Sequence, residues 1–197
     1  WVLWTVQTTI DHYLYRTLTQ NFWLIDHYPG YIFNFEGAVR YQWAKEYYPT
    51  EYERLKNYIK AGRWNISGSS WDSTDPNIPS PESFFRNLLY GQEFFKKEFG
   101  KKSNDIFLPD CFGFGYTLPT IAAHSGIIGF STQKLQHRKL PFYGDHKLPF
   151  MFGLWEGIDG ARIMAVPHAQ DYVSRFDGQE LSNNGKLVDL AKNGLNN

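Results

Sequence analysis

Over residues 7–27 apolar side chains recur every three or four positions, at Ile10, Leu14, Leu18, Phe22 and Ile25, the spacing that lines up one stripe of an α-helix. The intervening positions carry Asp11, Arg16, Gln20 and Asp26, and Pro29 stops the segment. An aromatic, β-favouring run over 31–35 then reads as a buried strand that ends at Glu36 and Gly37. Val39, Trp43 and Tyr47 mark a second helix ending before Pro49. Thr50 and Glu53 have the spacing of a capping box, which predicts a third helix with Leu55 and Ile59 inward and Gly62 at its close. Residues 63–67 read as the next strand, and a loop of Gly, Ser, Asp, Asn and Pro takes 68–80. Ser80 before Pro81 opens a further helix, an N-cap with proline at the first helical position, through Phe84, Leu88, Phe95 and Phe99 to Gly100.

The stretch 105–134 repeats the alternation in compact form. A short apolar run, 106–108, meets Pro109 and Asp110; a Gly-rich turn leads into a helix over about 118–124; a second apolar run covers 127–130. Residues 151–155 and 162–166 flank Asp159-Gly160 and read as a β-hairpin. Beyond 177 only weak helix is legible. Strands alternating with helices predict an α/β fold with a parallel sheet covered by helices, and right-handed crossovers put the C-terminal ends of the strands on one rim. That rim collects Glu36, then Trp71, Asp72 and Asp75, then Asp110 and Phe112, then Gln133 and Lys134. Rims of this kind are where parallel α/β sheets bind their ligands.

Composition narrows the function classes. In 197 residues, 20 basic side chains balance 20 acidic ones, so no global field draws the chain to nucleic acid or to an anionic membrane. No run of about 18 apolar residues predicts a membrane span. The one cysteine, Cys111, gives no intrachain disulfide. Aromatic residues make up 18% of the chain, a weak pointer to flat, partly apolar ligands such as sugar rings. The chain opens on Trp1 with no signal-peptide pattern, so a fragment incomplete at both ends is expected. No repeat or linker divides it, and 1–197 is read as a single catalytic α/β domain.

Each candidate residue carries two readings. Asp110, between Pro109 and Gly113-Phe114-Gly115, is a rim carboxylate or the cap of the following turn; the absence of a Cβ at glycine would let a ligand approach the backbone there. Phe112 offers a ring face to a sugar or fills the core. Asp75 is a second carboxylate or the acceptor of an Asx-turn. Lys134 charge-stabilises a neighbouring carboxylate or lies on a solvated surface, as the basic loop around His137 and Arg138 does. Gly113-x-Gly115 lacks the further residues of a phosphate loop. The six His include no H-x-H or H-E-x-x-H pair, and His12, His27 and His124 fall on helices as structural residues.

Several motifs occur together in one order: Trp4-Thr5-Val6-Gln7-Thr8-Thr9, Phe33-Asn34-Phe35-Glu36, the 71–80 loop, Leu89-Tyr90-Gly91-Gln92 with Glu98-Phe99-Gly100, Leu108-Pro109-Asp110-Cys111-Phe112-Gly113, and Ser131-Thr132-Gln133-Lys134-Leu135. From Trp4 to about Tyr172 the chain resembles the catalytic domain of the α-mannosidases of glycoside hydrolase family 38. The resemblance implies a seven-stranded, parallel, barrel-like α/β domain of a larger multidomain enzyme. It implies a retaining α-mannosidase that acts on mannose-containing glycans with one catalytic zinc. Asp110 would be nucleophile and metal ligand. Trp1 or Trp4, Phe112, Asp75, Lys134 and Tyr172 match positions at the substrate. The family's H-x-H-x-D ligands fall before Trp1, and its remaining His ligand and general acid fall beyond residue 197, so Asp110 is the one ligand expected in this chain. Two alternatives stand beside this reading: a metal-dependent polysaccharide deacetylase, and a non-catalytic carbohydrate-binding relative.

Overall fold

The structure is a computed structural model and describes residues 5–132 and 152–167. These form a mixed α/β fold in two compact units, one of 5–73 and 81–104, the other of 74–80, 105–132 and 152–167.

The first unit opens on a helical run in three parts: α1 (Val6–Thr8), a π-helical stretch (Thr9–Leu14) and α2 (Tyr15–His27). Thr5 caps it, its Oγ1 accepting from the Thr8 N–H at 3.1 Å. The predicted stripe faces inward, with Ile10, Leu14, Leu18, Phe22 and Ile25 all buried. Strand β1 (Phe33–Glu36) pairs in parallel with β2 (Trp64–Ser67), Phe33 opposite Trp64 and Glu36 opposite Ser67. The pairing starts two residues later than the apolar run suggests. Backbone at Tyr31 is satisfied instead by a side chain, since the Arg63 Nε–H donates to the Tyr31 carbonyl at 2.9 Å and Nη2 to that of Ile25 at 3.0 Å.

Helices α3 (Ala38–Tyr47), α4 (Pro49–Lys60) and α5 (Pro81–Phe99) cover this pair. The Thr50–Glu53 capping box does not form. Pro49 takes the start of α4 with Tyr48 as a cap that makes no side-chain bond, which leaves Thr50 inside the helix and Glu53 paired with Lys56. Trp64 centres the core: Phe22 and Phe33 lie against its ring, at 5.7 and 4.8 Å between centroids, and its Nε1–H donates to Tyr41 Oη. Tyr41 Oη–H passes on to the Phe35 carbonyl at 2.8 Å, so the polar tips of two buried aromatics are satisfied in one chain. Gly91 brings α5 against the turn after β2. A Cβ there would stand 2.3 Å from Ser70 C and 2.4 Å from Ser69 O, both backbone atoms.

In the second unit β3 (Asp105–Phe107), β4 (Gly129–Thr132), β5 (Gly153–Glu156) and β6 (Arg162–Pro167) form one sheet in the order β3-β4-β6-β5. The pairs β3–β4 and β4–β6 are parallel and β5–β6 is the predicted antiparallel hairpin. Helix α6 (Leu118–His124) makes the crossover from β3 to β4. Ile127 reads as strand but caps that helix, its N–H donating to the Ala122 carbonyl at 2.9 Å, and β4 begins after it. Phe130 joins Phe114 and Trp155 in an aromatic cluster. At the N-terminal end of β6, the hairpin turn is clipped to α6. Asp159 accepts from His124 Nε2 at 2.7 Å, from Thr120 Oγ1 at 2.8 Å and from the Ala161 N–H at 3.1 Å. Among the described residues no helix is long and apolar enough to cross a membrane.

Two outcomes follow from this packing. Gly91→Ala forces α5 off the turn at Ser69 and Ser70 and lowers stability by about 1–3 kcal/mol, readable as a reduced denaturation midpoint of the full-length protein. The bonds from His124 and then Thr120 hold the Asp159 carboxyl down from 3.8 to about 2. A depressed carboxyl stabilises the fold above its unfolded pKa and loses that contribution as pH falls through the folded one. Stability should therefore drop more steeply between pH 3.8 and about 2 in the wild type than in Asp159→Asn, measured by denaturant titration across that window.

Candidate active site

Asp110 lies three residues past the last residue of β3. The β3–β4 pairing continues beyond the strand itself: the Leu108 N–H donates to the Ser131 carbonyl at 3.0 Å, and the buried Thr132 Oγ1–H donates to the Leu108 carbonyl at 2.7 Å. Pro109 follows, with no N–H to continue the ladder. Asp110 is thus half-buried at the C-terminal edge of a parallel pair, the place the chain pattern assigns to it.

The 74–77 segment runs beside the turn that follows. Cys111, buried, points its Sγ at the Thr74 carbonyl at 3.4 Å. The Phe112 N–H donates to Asp75 Oδ2 at 3.3 Å, and the Asn77 N–H donates to Asp75 Oδ1 at 3.0 Å. Asp75 therefore closes the Asx-turn and holds the 110–113 turn with its two oxygens. Gly113 has φ +136°, and a Cβ on it would stand 2.7 Å from Asn77 Nδ2. The close approach that this glycine permits is made by Asn77 rather than reserved for a ligand. Phe112 does not fill the core: it is 70% exposed, two residues after Asp110.

In the first unit the strand ends are polar as expected. Glu36 Oε1 accepts from Ser73 Oγ at 2.7 Å, and Asp72 pairs with Arg40 at 3.1 Å. Trp71 belongs to the core side, edge-on to Phe94 at 5.9 Å. His27 stacks on Trp23 and bonds its carbonyl, and His124 serves the hairpin clip; these two histidines are structural. Trp1, Trp4, Gln133, Lys134 and Tyr172 lie outside the described residues. Among the described residues no group of three His, Cys, Asp or Glu side chains stands together as a metal site. Asp110 offers one oxygen donor of a kind zinc accepts.

Two features escaped the chain pattern: Asn77 as the partner of Gly113, and the thiol of Cys111 seated on the 74–77 segment. The asparagine had a signal, since Asp-Pro-Asn opposite Gly-x-Gly pairs a turn former with a backbone that leaves room for it.

Comparison with known proteins places these features in a family. The sequence profile of the Glycosyl hydrolases family 38 N-terminal domain matches residues 1–193. Alpha-mannosidase G of Dictyostelium discoideum is 41% identical over 197 residues, covering 98% of this chain and 18% of that protein. Alpha-mannosidase 2C1 of Homo sapiens is 36% identical over 141 residues, covering 72% of this chain and 13% of that protein. The crystal structure of an alpha-mannosidase from Enterococcus faecalis V583 superposes with a TM-score of 0.69 at 21% identity, over 90% of this chain and 20% of that one. The chain thus spans less than a fifth of the length of these two curated relatives.

Proposed function

The chain belongs to glycosyl hydrolase family 38, matching its N-terminal domain, and from that premise we propose that it is part of a retaining α-mannosidase that removes terminal α-linked mannose from glycans. One observation supports this reading above the others: a half-buried carboxylate at the edge of the β3–β4 pair, followed two residues on by an exposed aromatic ring, in a chain 41% identical to an α-mannosidase. Residues 1–197 are taken as a single catalytic α/β domain of a larger multidomain enzyme, its strands contributing to a seven-stranded parallel barrel.

Asp110 is the nucleophile. An oxygen of its carboxylate attacks the anomeric carbon of mannose as the glycosidic bond breaks, and the departing oxygen takes a proton from a second carboxyl group about 5–5.5 Å away. Water, deprotonated by that same carboxylate, then attacks the anomeric carbon, mannose leaves with its anomeric configuration kept, and Asp110 is regenerated. Phe112 presents its ring to the sugar, and Trp1 or Trp4, Lys134 and Tyr172 complete the substrate's surroundings, with Asp75 bordering the same turn. Asp110 would also supply one ligand to a zinc ion. A bound zinc would polarise substrate oxygens and hold the ring orientation; among the described residues no group of three His, Cys, Asp or Glu side chains stands together.

Asp110→Ala in the full-length polypeptide should lower hydrolysis of an aryl α-mannoside by about 10⁴-fold or more, because the side chain that forms the covalent intermediate is gone. Turnover near that of the wild type would overturn the assignment. Release of acetate from an acetylated polysaccharide, with no mannose released, would transfer the chain to deacetylation. Mannoside binding by a wild type that turns nothing over would make it a carbohydrate-binding relative.

A further inference from the structure

We infer that Asp75 is a positioning residue for Asp110, acting through the Phe112 amide rather than by touching the sugar; this rests on Asp110 being the nucleophile of a mannosidase. The geometry brackets Asp110 from both sides within a few residues. On its N-terminal side, Leu108 is held by its N–H to the Ser131 carbonyl and by its own carbonyl to Thr132 Oγ1. On its C-terminal side, two residues are held by the 74–77 segment, Cys111 by its thiol to the Thr74 carbonyl and Phe112 by its N–H to Asp75, and the Asn77 amide packs close to Gly113, its Nδ2 2.7 Å from where a Cβ would be.

Between these anchors only Pro109 and Asp110 itself remain. Proline fixes its own φ, so little backbone freedom is left to the nucleophile. Reacting groups must be held to a few tenths of an ångström, and a shift of 1 Å can cost about a hundredfold in rate.

Asp75 is the joint of this clamp. One oxygen accepts the Asn77 N–H and shapes the 74–77 turn; the other accepts the Phe112 N–H and fastens that turn to the residues after Asp110. A carboxylate can serve two N–H donors with two equivalent acceptors. Asparagine cannot, because one of its two terminal atoms is itself a donor. Asp75→Asn is therefore nearly isosteric yet must give up one of the two bonds.

The test compares full-length wild type with Asp75→Asn, and with Asn77→Ala as a second variant that loosens the same clamp without touching Asp75. Three quantities are read: kcat for an aryl α-mannoside, the Kd of a mannose-configured competitive inhibitor, and the rate of alkylation at Cys111, followed by mass spectrometry of its peptide. The inference predicts that kcat falls about ten- to a hundredfold while the Kd holds within about twofold, and that Cys111 alkylates faster as the turn opens. Unchanged kcat and alkylation would overturn it. So would a Kd that weakens in step with kcat while alkylation stays the same, since that would put Asp75 on the sugar. A wild type without mannosidase turnover would remove the functional reading; the alkylation rates would still decide whether Asp75 clamps this turn.

Discussion

Where β3 stops being a strand depends on one buried hydrogen bond. Thr132 Oγ1–H reaches across to the Leu108 carbonyl at 2.7 Å, a bond that extends the parallel pairing past the last paired residues and then ends it. The carbonyl would otherwise be a buried, unsatisfied acceptor next to a proline that cannot continue the ladder. Asp110 follows two residues after that anchored carbonyl, and the turn at 111–113 meets the 74–77 segment through Cys111 and Phe112.

The two ends of this sheet are finished by different means. At the C-terminal end the closures are backbone donors taken up by one carboxylate, with a glycine that admits Asn77. At the N-terminal end of β6 the closure is a His–Asp–Thr clip from α6 to the hairpin turn. Both use an aspartate that gathers several donors, and both leave an aspartate's identity readable as chemistry until its partners are known. Asp159 collects a helix to a hairpin. Asp75 collects two loops beside a candidate nucleophile.

Much of the architecture was written in periodicity. The stripe from Ile10 to Ile25 is buried as spaced, the β3-α6-β4 alternation folds as one crossover, and the hairpin turns around Asp159-Gly160. Strand ends shifted by a residue or two where a side chain or helix cap took the backbone bond first, Arg63 at Tyr31 and Ala122 at Ile127. The Thr50–Glu53 spacing was outweighed by Pro49, whose fixed φ starts α4 before Thr50 can cap it. Asp110 was legible because a strand, a proline and a glycine turn dictate where it sits. The hydrogen bond from the Phe112 N–H to Asp75 was not, since it joins residues 37 apart in sequence and no local spacing encodes that meeting. For Asp110 spacing alone leaves a rim carboxylate or a cap, and the family's motifs supply the proposal that it is the nucleophile.

As the proposed nucleophile, Asp110 would carry the sugar in the glycosyl-enzyme. This is tested most directly by incubating the full-length enzyme with a fluorinated mannosyl fluoride that forms the glycosyl-enzyme quickly and loses it slowly, then sequencing the labelled peptide by mass spectrometry. One sugar adduct is expected, on the carboxylate of Asp110. An adduct on another carboxylate, or hydrolysis with inversion and no adduct, would contradict it.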